Sequence, residues 1–505
     1  MTTAVRVTNA RWTGFAGSVL IAVGGLGAGV LPRPDPLWDA PVLRDLRHGI
    51  GPAVCITLAA IGMTLLVYAW WRLRTESSAG SVTGTAALWA LPLLFGPPMF
   101  SRDLYSYAAQ GLVLARGFDP YRIGPAEIPS GLGADWVSSV SSTWVSTPAP
   151  YGPLYLYLAS WVAGAAGDNL VVALLGLRFL AVLGLVVLAV IVPRMAAAYG
   201  ASPSRAQWLL IANPLVLAQL VAGGHNEALM LPFLAGALWV AAPAARRGPD
   251  AAGGGPDAPR RGLYAVGAAA GGLIGLAAAV KVSAVVALPF VVVLVAANRP
   301  VGPGRLGWWN RVVRVGAVAG AAAVAAFGLV SALAGLGLGW VHGLAVTSGV
   351  SVQWTSIPTG WGMFLTWFTS APDRTVLGPA RTLGTVVMLV ILVVLWWRVR
   401  TAPARAVLGA CAAALFVLAI FGASFHPWYL LWALVPLAAA DEDRFATVLV
   451  VISGVLSFFV LPDGYNLARA THVPGTIFDL VLTGAAVAYG IRFLRRRRVT
   501  TDELA

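Results

Sequence analysis

Apolar runs of roughly 17–25 residues, parted by short polar turns, recur from one end of the chain to the other, and each is long enough to cross a hydrocarbon core of about 30 Å. The pattern predicts about fourteen helical spans, at 13–31, 51–71, 84–99, 170–192, 206–222, 228–243, 262–279, 281–297, 312–335, 379–397, 405–422, 428–440, 445–461 and 476–493. The 262–297 stretch reads either as a tight hairpin around Lys281 or as one long helix with a break, and 428–440 is short for a full crossing. Arg6 and Arg11 precede the first apolar run as in a signal peptide, but the spans that follow favour an uncleaved anchor. The expected fold class is therefore an all-α polytopic membrane protein, a single domain over 1–505, with no soluble domain of useful size.

Composition agrees, at 58% hydrophobic and 11% charged residues. The net charge of +14 raises the question of nucleic acid, yet its carriers are spread over short loops, which is where membrane orientation puts them. Nucleic acid is set aside as a partner. With the N-terminus in the cytoplasm, roughly 23 of the 34 basic residues fall inside. Arg246, Arg247, Arg260 and Arg261, then Arg305, Arg311 and Arg314, then Arg495 to Arg498, all reach that side. Both termini are expected to be cytoplasmic, and the Gly/Pro-rich 244–261 segment a flexible cytoplasmic loop. Cys55 and Cys411 lie inside apolar runs, so neither a disulfide nor thiolate chemistry is indicated.

The opposite, extracytoplasmic side carries the long aromatic segments 100–169 and 336–378 and the turns at 223–227, 424–428 and 461–475. Any extracytoplasmic chemistry must come from these. Reading 150–167 as a further span would invert every later basic cluster, so it is taken as a helix in the outer interface. SRDLYSYAAQGLVLARGFDPYRIGP, at 101–125, suits a short amphipathic helix: Ser101 caps it, Asp103, Ser106 and Gln110 share one face, and Gly117 and Pro120 end it. Asp103 in the first turn is either a general base or part of the cap paired with Arg102.

Further candidates each carry two readings. His225, Asn226 and Glu227 in GGHNEALM either cap a helix or hold a sugar hydroxyl or phosphate oxygen, and they lack metal-ligand spacing. His426, before Pro427, Trp428, Tyr429 and Trp432, belongs either to an interfacial belt or to a site where it meets a phosphate and the rings stack on sugar or isoprenoid. Lys281, the only lysine, is either a snorkelling anchor or a phosphate-binding cation. Tyr105, Tyr151 and Trp354 join Trp428 and Tyr429 as candidate sugar or lipid contacts, while His342, Gln353, Tyr465 and Arg469 are weaker. Arg178, inside a span, must face protein or a polar cavity.

In order, SRDLYSYAAQGLVLARGFDPY, STPAPYGPLYL, ANPLVLAQLVAGGHNEALM, KVSA and FHPWYLLW resemble the actinobacterial polyprenol-phosphate-mannose-dependent α-1,6-mannosyltransferases of the GT-C superfamily. The resemblance covers most of the chain. It implies a GT-C-type bundle in the plasma membrane with interfacial helices in the first large loop. It also implies inverting transfer of mannose from a polyprenyl-phosphate-mannose donor to a lipid-anchored α-1,6-mannan outside the membrane. The base in such enzymes is usually an Asp of that first loop, the place of Asp103. Arg102, His225, Asn226, Glu227, Lys281 and His426 are then candidates for donor phosphate or substrate binding. A single carboxylate follows Arg102 where a paired Asp-Asp would suggest a metal, so no cofactor is expected and a divalent metal is not indicated. Two alternatives stay in play: a GT-C transferase for another sugar such as arabinofuranose, and a transporter or flippase of lipid-linked sugars. The latter needs polar groups at the bilayer midplane, where these spans are nearly free of charge apart from Arg178.

Overall fold

Small residues decide how closely the first helices of the computed structural model approach one another. Thr3–Ala28 runs antiparallel to Gly51–Leu73 with Gly17 set against Gly62 and Gly24 against Cys55, positions where a side chain would strike the facing backbone. The structure describes residues 3–129, 131, 133–242, 258–297, 305–485 and 488, and among them there is no strand, only an antiparallel bridge between Val460 and Asn466. The 243–257 segment, and with it most of the expected cytoplasmic loop 244–261, lies outside the described residues, as do Arg495 to Arg498.

Six described helices are long and apolar enough to cross a membrane: Gly51–Leu73, Leu170–Ala198, Gly262–Val280, Gly307–Leu333, Asp373–Val399 and Ala404–Phe421. They fit a multi-pass membrane protein. Thr3–Ala28, 26 residues long, covers most of the expected 13–31 span without standing among these six, and most of the other expected spans are shorter or broken. The 206–222 run divides into Pro203–Leu210 and Pro214–Ala222, bent by 42°. Asn213 causes the break: the residue before a proline avoids the helical region, and its side chain caps the Leu215 N–H at 2.9 Å. Ala79–Phe95, Glu227–Val240 and Arg444–Leu456 are apolar but only 17, 14 and 13 residues long. The run predicted at 476–493 is helical over 472–485.

The 262–297 stretch is a hairpin broken at Lys281. Gly267, Gly271 and Gly275 pack on Val315, Ala319 and Ala323 in the same order, so Ala258–Val280 and Arg305–Leu333 run parallel and the chain must return between them. Lys281 is extended (φ −150°, ψ 119°), after which Val282–Ala287 and Leu288–Ala297 lead back.

The 100–169 segment contributes the helices Asp103–Ala115, Ala134–Ser139 and Pro153–Ala166, and 336–378 contributes Trp340–Val350 and Ile357–Thr366. The helix opening at Asp103 corrects the amphipathic expectation. Every residue from Leu104 to Val113 is buried, Ser106 and Gln110 included, because Pro153–Ala166 closes over it with Gly111 against the Ala159 backbone.

Arg178 faces protein. Its guanidinium donates to the carbonyls of Leu93 (2.6 Å) and Gly96 (2.7 Å) and to those of Val221 (3.4 Å) and Ala222 (3.3 Å). One pair leads toward Asp103 and the other toward His225. Residue 178 thus ties together the two backbone segments that deliver the site.

Candidate functional site

Four chain segments converge on Asp103. Its own helix starts after Phe100, held in the left-handed region at φ 68°, and the Ser101 hydroxyl accepts the Asp103 backbone N–H at 3.1 Å. The second segment arrives through a π-helical turn, Leu217–Ala222, and Gly224 at φ +66°, where a side chain would meet Leu104. This close approach lays the His225 turn on the first turn of the Asp103 helix. Third, the Gly152 N–H donates to the Val280 carbonyl at 3.0 Å, which sets Tyr151 beside the Lys281 break. Finally, the turn Pro427–Tyr429 brings in His426, Trp428 and Tyr429.

At the centre, the Asp103 Oδ2 lies 3.7 Å from the His225 Nδ1, which the Tyr107 hydroxyl approaches to 3.3 Å. His225 stacks on the Trp428 indole at 3.8 Å between ring centroids, and His426 stacks on the same indole at 4.7 Å. Lys281 pairs closely with Glu227, and its Nζ lies 4.3 Å above the Tyr429 ring and 5.4 Å from that of Trp432. It is a buried cation in an aromatic setting rather than a snorkelling anchor. The Asp103 side chain is 18% exposed and that of Lys281 14%, whereas His225 and Glu227 show no exposed side-chain surface. His225, Asn226 and Glu227 therefore stand one layer behind Asp103 and Lys281. Asn226 occupies the N-cap position of its helix without a side-chain capping bond.

Burial raises the Asp103 carboxyl to about 6, with Glu227 adding to the shift while Lys281 and the Ser101 bond oppose it. Burial also drives His225 well below the ordinary imidazole range and His426 down to about 3, each helped by the charge of Lys281. Near neutral pH the site holds an ionised carboxylate beside two neutral imidazoles.

Two cavities meet here. One, of about 290 Å³, runs along Asp103, Ser106, Tyr107, Gln110, Tyr151, Lys281, Tyr429 and Trp432 to apolar walls at Val282, Leu344, Leu418 and Ala419. The other, of about 240 Å³, is lined by Arg33, Arg102, Ser141, Ser142, Thr143, Gln353, Asp463, Asn466 and Arg469. Asp103, Trp144, His426 and Trp428 belong to the walls of both.

The other sequence candidates divide. Arg102 pairs not with Asp103 but with Asp463 at 2.8 Å, and its guanidinium also donates to the carbonyls of Leu31 and Ser139. Tyr105 is buried away from both cavities, its hydroxyl donating to the Val30 carbonyl at 2.7 Å. Trp354 donates to the Thr471 hydroxyl at 3.1 Å, and neither it nor the exposed His342 and Tyr465 lines either of these two cavities. Tyr107, Trp144, Asp463 and Asn466 are site residues that sequence reasoning missed. Among the described residues no three His, Cys, Asp or Glu side chains gather as a metal-binding group.

Residues 11–297 match the MptA/B family, described as the N-terminal domain of α-(1→6)-mannopyranosyltransferase, and residues 354–489 match the MptB C-terminal domain. The chain is 34% identical to α-(1→6)-mannopyranosyltransferase A of Mycobacterium tuberculosis, over 89% of this chain and 84% of the relative. It is 32% identical to α-(1→6)-mannopyranosyltransferase B of Corynebacterium glutamicum, over 96% and 81% respectively. No solved structure matches the chain. Its sequence nevertheless fixes its kinship: the chain belongs to the MptA/B family of α-(1→6)-mannopyranosyltransferases.

Proposed function

We propose that the protein transfers mannose from polyprenyl-phosphate-mannose to a lipid-anchored α-1,6-mannan, with inversion, on the extracytoplasmic side of the plasma membrane, and that Asp103 is the general base. One observation carries this reading: the carboxylate of Asp103 stands where a cavity with apolar walls and the only lysine meets a polar one. Kinship with enzymes named for α-(1→6)-mannosyl transfer supports the sugar and the linkage. The distribution of basic residues supports cytoplasmic termini, a bundle of about fourteen helices once the shorter ones are counted, and interfacial placement of the helices in 100–169.

In the transfer, an acceptor hydroxyl oxygen attacks the anomeric carbon from the face opposite the phosphate, and the bond from that carbon to the phosphate oxygen breaks. Asp103 takes the hydroxyl proton, while the electron pair leaves on polyprenyl phosphate. Lys281 is placed to neutralise the departing phosphate, Tyr151, Tyr429 and Trp432 to flank it, and the apolar walls to hold the isoprenoid. Glu227 holds Lys281 in position, and His225, its ring fixed on Trp428, orients the base. This reading assigns phosphate neutralisation to a protein cation and asks for no cofactor.

Two tests arise directly. A base that titrates at about 6 loses its proton-accepting form as pH falls, so transfer is expected to decline through pH 6 on the acid side and to level off above it. A pH–rate profile on reconstituted enzyme measures this, and a flat profile between pH 5 and 7 would contradict it. The second test is the paired substitution Lys281→Met with Glu227→Gln, which removes the cation without stranding a buried carboxylate. The donor KM is expected to rise by about 10- to 100-fold, the value of one charge-assisted contact. An unchanged donor KM would remove Lys281 from the donor site.

A further inference from the structure

The polar cavity has no role in the donor chemistry, yet it shares the wall formed by Asp103, Trp144, His426 and Trp428. Its far side is built by a segment more than 300 positions away in sequence. The turn Pro462–Gly464 is closed by the Leu461 N–H to the Tyr465 carbonyl (2.8 Å) and the Leu467 N–H to the Phe459 carbonyl (3.2 Å). Gly464, at φ +71°, packs on Ser101 and Arg102, and Asp463 pairs with Arg102. The segment is thereby seated on the two residues before the proposed base.

What faces the cavity is matched to a polyhydroxylated ligand. Ser141, Ser142 and Thr143 offer hydroxyls, Gln353 and Asn466 amides, and Trp144 and Trp428 broad apolar rings. The Asn466 Oδ1 already accepts the Ala468 N–H at 2.8 Å, which leaves its amide nitrogen as the group free to donate. Arg469 donates to the Thr143 hydroxyl at 3.2 Å and, like Arg33, is exposed, so the cavity leads outward past these two side chains. An anionic ligand is disfavoured at the inner end, where Arg102 is already matched by Asp463 and the Asp103 carboxylate forms the wall.

We infer that this polar cavity is the acceptor subsite, that it takes the terminal sugar of a neutral glycan chain, and that the 460–469 segment, through Asn466 and Arg469, selects that acceptor. The inference rests on the assignment of the apolar cavity to the donor, but it has its own observable. The rest of the acceptor chain leaves past Arg33 and Arg469, and the terminal hydroxyl is presented to Asp103 from this cavity, while Lys281 lines the other one.

The test uses the full chain, purified in detergent and reconstituted in vesicles, with Arg469→Gln and Asn466→Asp; the latter keeps the capping oxygen and loses the amide donor. A synthetic α-1,6-linked trimannoside is titrated onto each protein without donor, and KM values for trimannoside and donor are then measured separately. Binding and acceptor KM are expected to weaken tenfold or more in both variants while donor KM stays at the wild-type value. Unchanged trimannoside binding, or a rise confined to donor KM, would overturn the inference, the second result giving this cavity to the donor. Because the titration needs no transfer, weakened binding together with an active Asp103→Asn enzyme would reject the base while leaving the acceptor subsite standing.

Discussion

Asp103→Asn is expected to lower mannosyl transfer by about two to four orders of magnitude, the usual span of general base catalysis, in a protein that still folds. The amide cannot accept the acceptor's proton. The other candidate acceptors are poor substitutes, since His225 and His426 have lowered basicity, Asp463 is paired with Arg102, and Glu227 is engaged by Lys281 behind the cavity wall. Folding should survive, because the start of the helix is capped by the Ser101 hydroxyl rather than by the Asp103 carboxylate, and a neutral amide removes a buried charge. Initial rates with donor and acceptor saturating, beside a thermal melt, measure both. Wild-type transfer in this variant would reject the assignment.

Arg178→Met should have the largest effect on stability. Methionine fills much of the same volume but leaves the carbonyls of Leu93, Gly96 and Val221 without their donor; Ala222 keeps a bond from the Met99 N–H. Each stranded buried acceptor costs about 1–3 kcal/mol, a sum of several kcal/mol against the marginal stability of a folded protein. A clear fall in melting temperature is expected, with activity falling as well, since the same guanidinium ties the approach to Asp103 to the approach to His225. A melt indistinguishable from wild type would show that these carbonyls find other donors.

Much of this was legible in the sequence because it depends on neighbours. Hydropathy located the long helices, and helical spacing put Asp103, Ser106 and Gln110 on one face, which is the face that lines the apolar cavity. The glycines of GGHNE marked a turn that only Gly224 can make in its left-handed conformation. A charged residue in an apolar run had to face protein, and Arg178 does.

What escaped depends on distance along the chain. Arg102 was read beside Asp103, but its partner Asp463 comes 361 positions later, and no local pattern reports that pairing. Tyr107 carried no reading of its own in the sequence, because it is Tyr151 and Tyr155, packed edge-on against it from another helix and its approach, that make it part of the site. The Gly111 side of the Asp103 helix is covered by Pro153–Ala166 and its polar face is turned onto a cavity, and the 206–222 run breaks at Asn213, where hydropathy is blind to capping. Trp354 looked like a substrate contact, yet its indole N–H is taken by Thr471.

The most direct measurement is product analysis with the purified chain in vesicles, supplied with polyprenyl-phosphate-mannose and a short α-1,6-mannan acceptor, with GDP-mannose offered separately. The account predicts a new α-1,6-linked mannose on the acceptor from the lipid-linked donor alone, formed by the wild type and lost in Asp103→Asn. Transfer from GDP-mannose, another linkage, or movement of the lipid-linked sugar across the vesicle with no bond formed would contradict it.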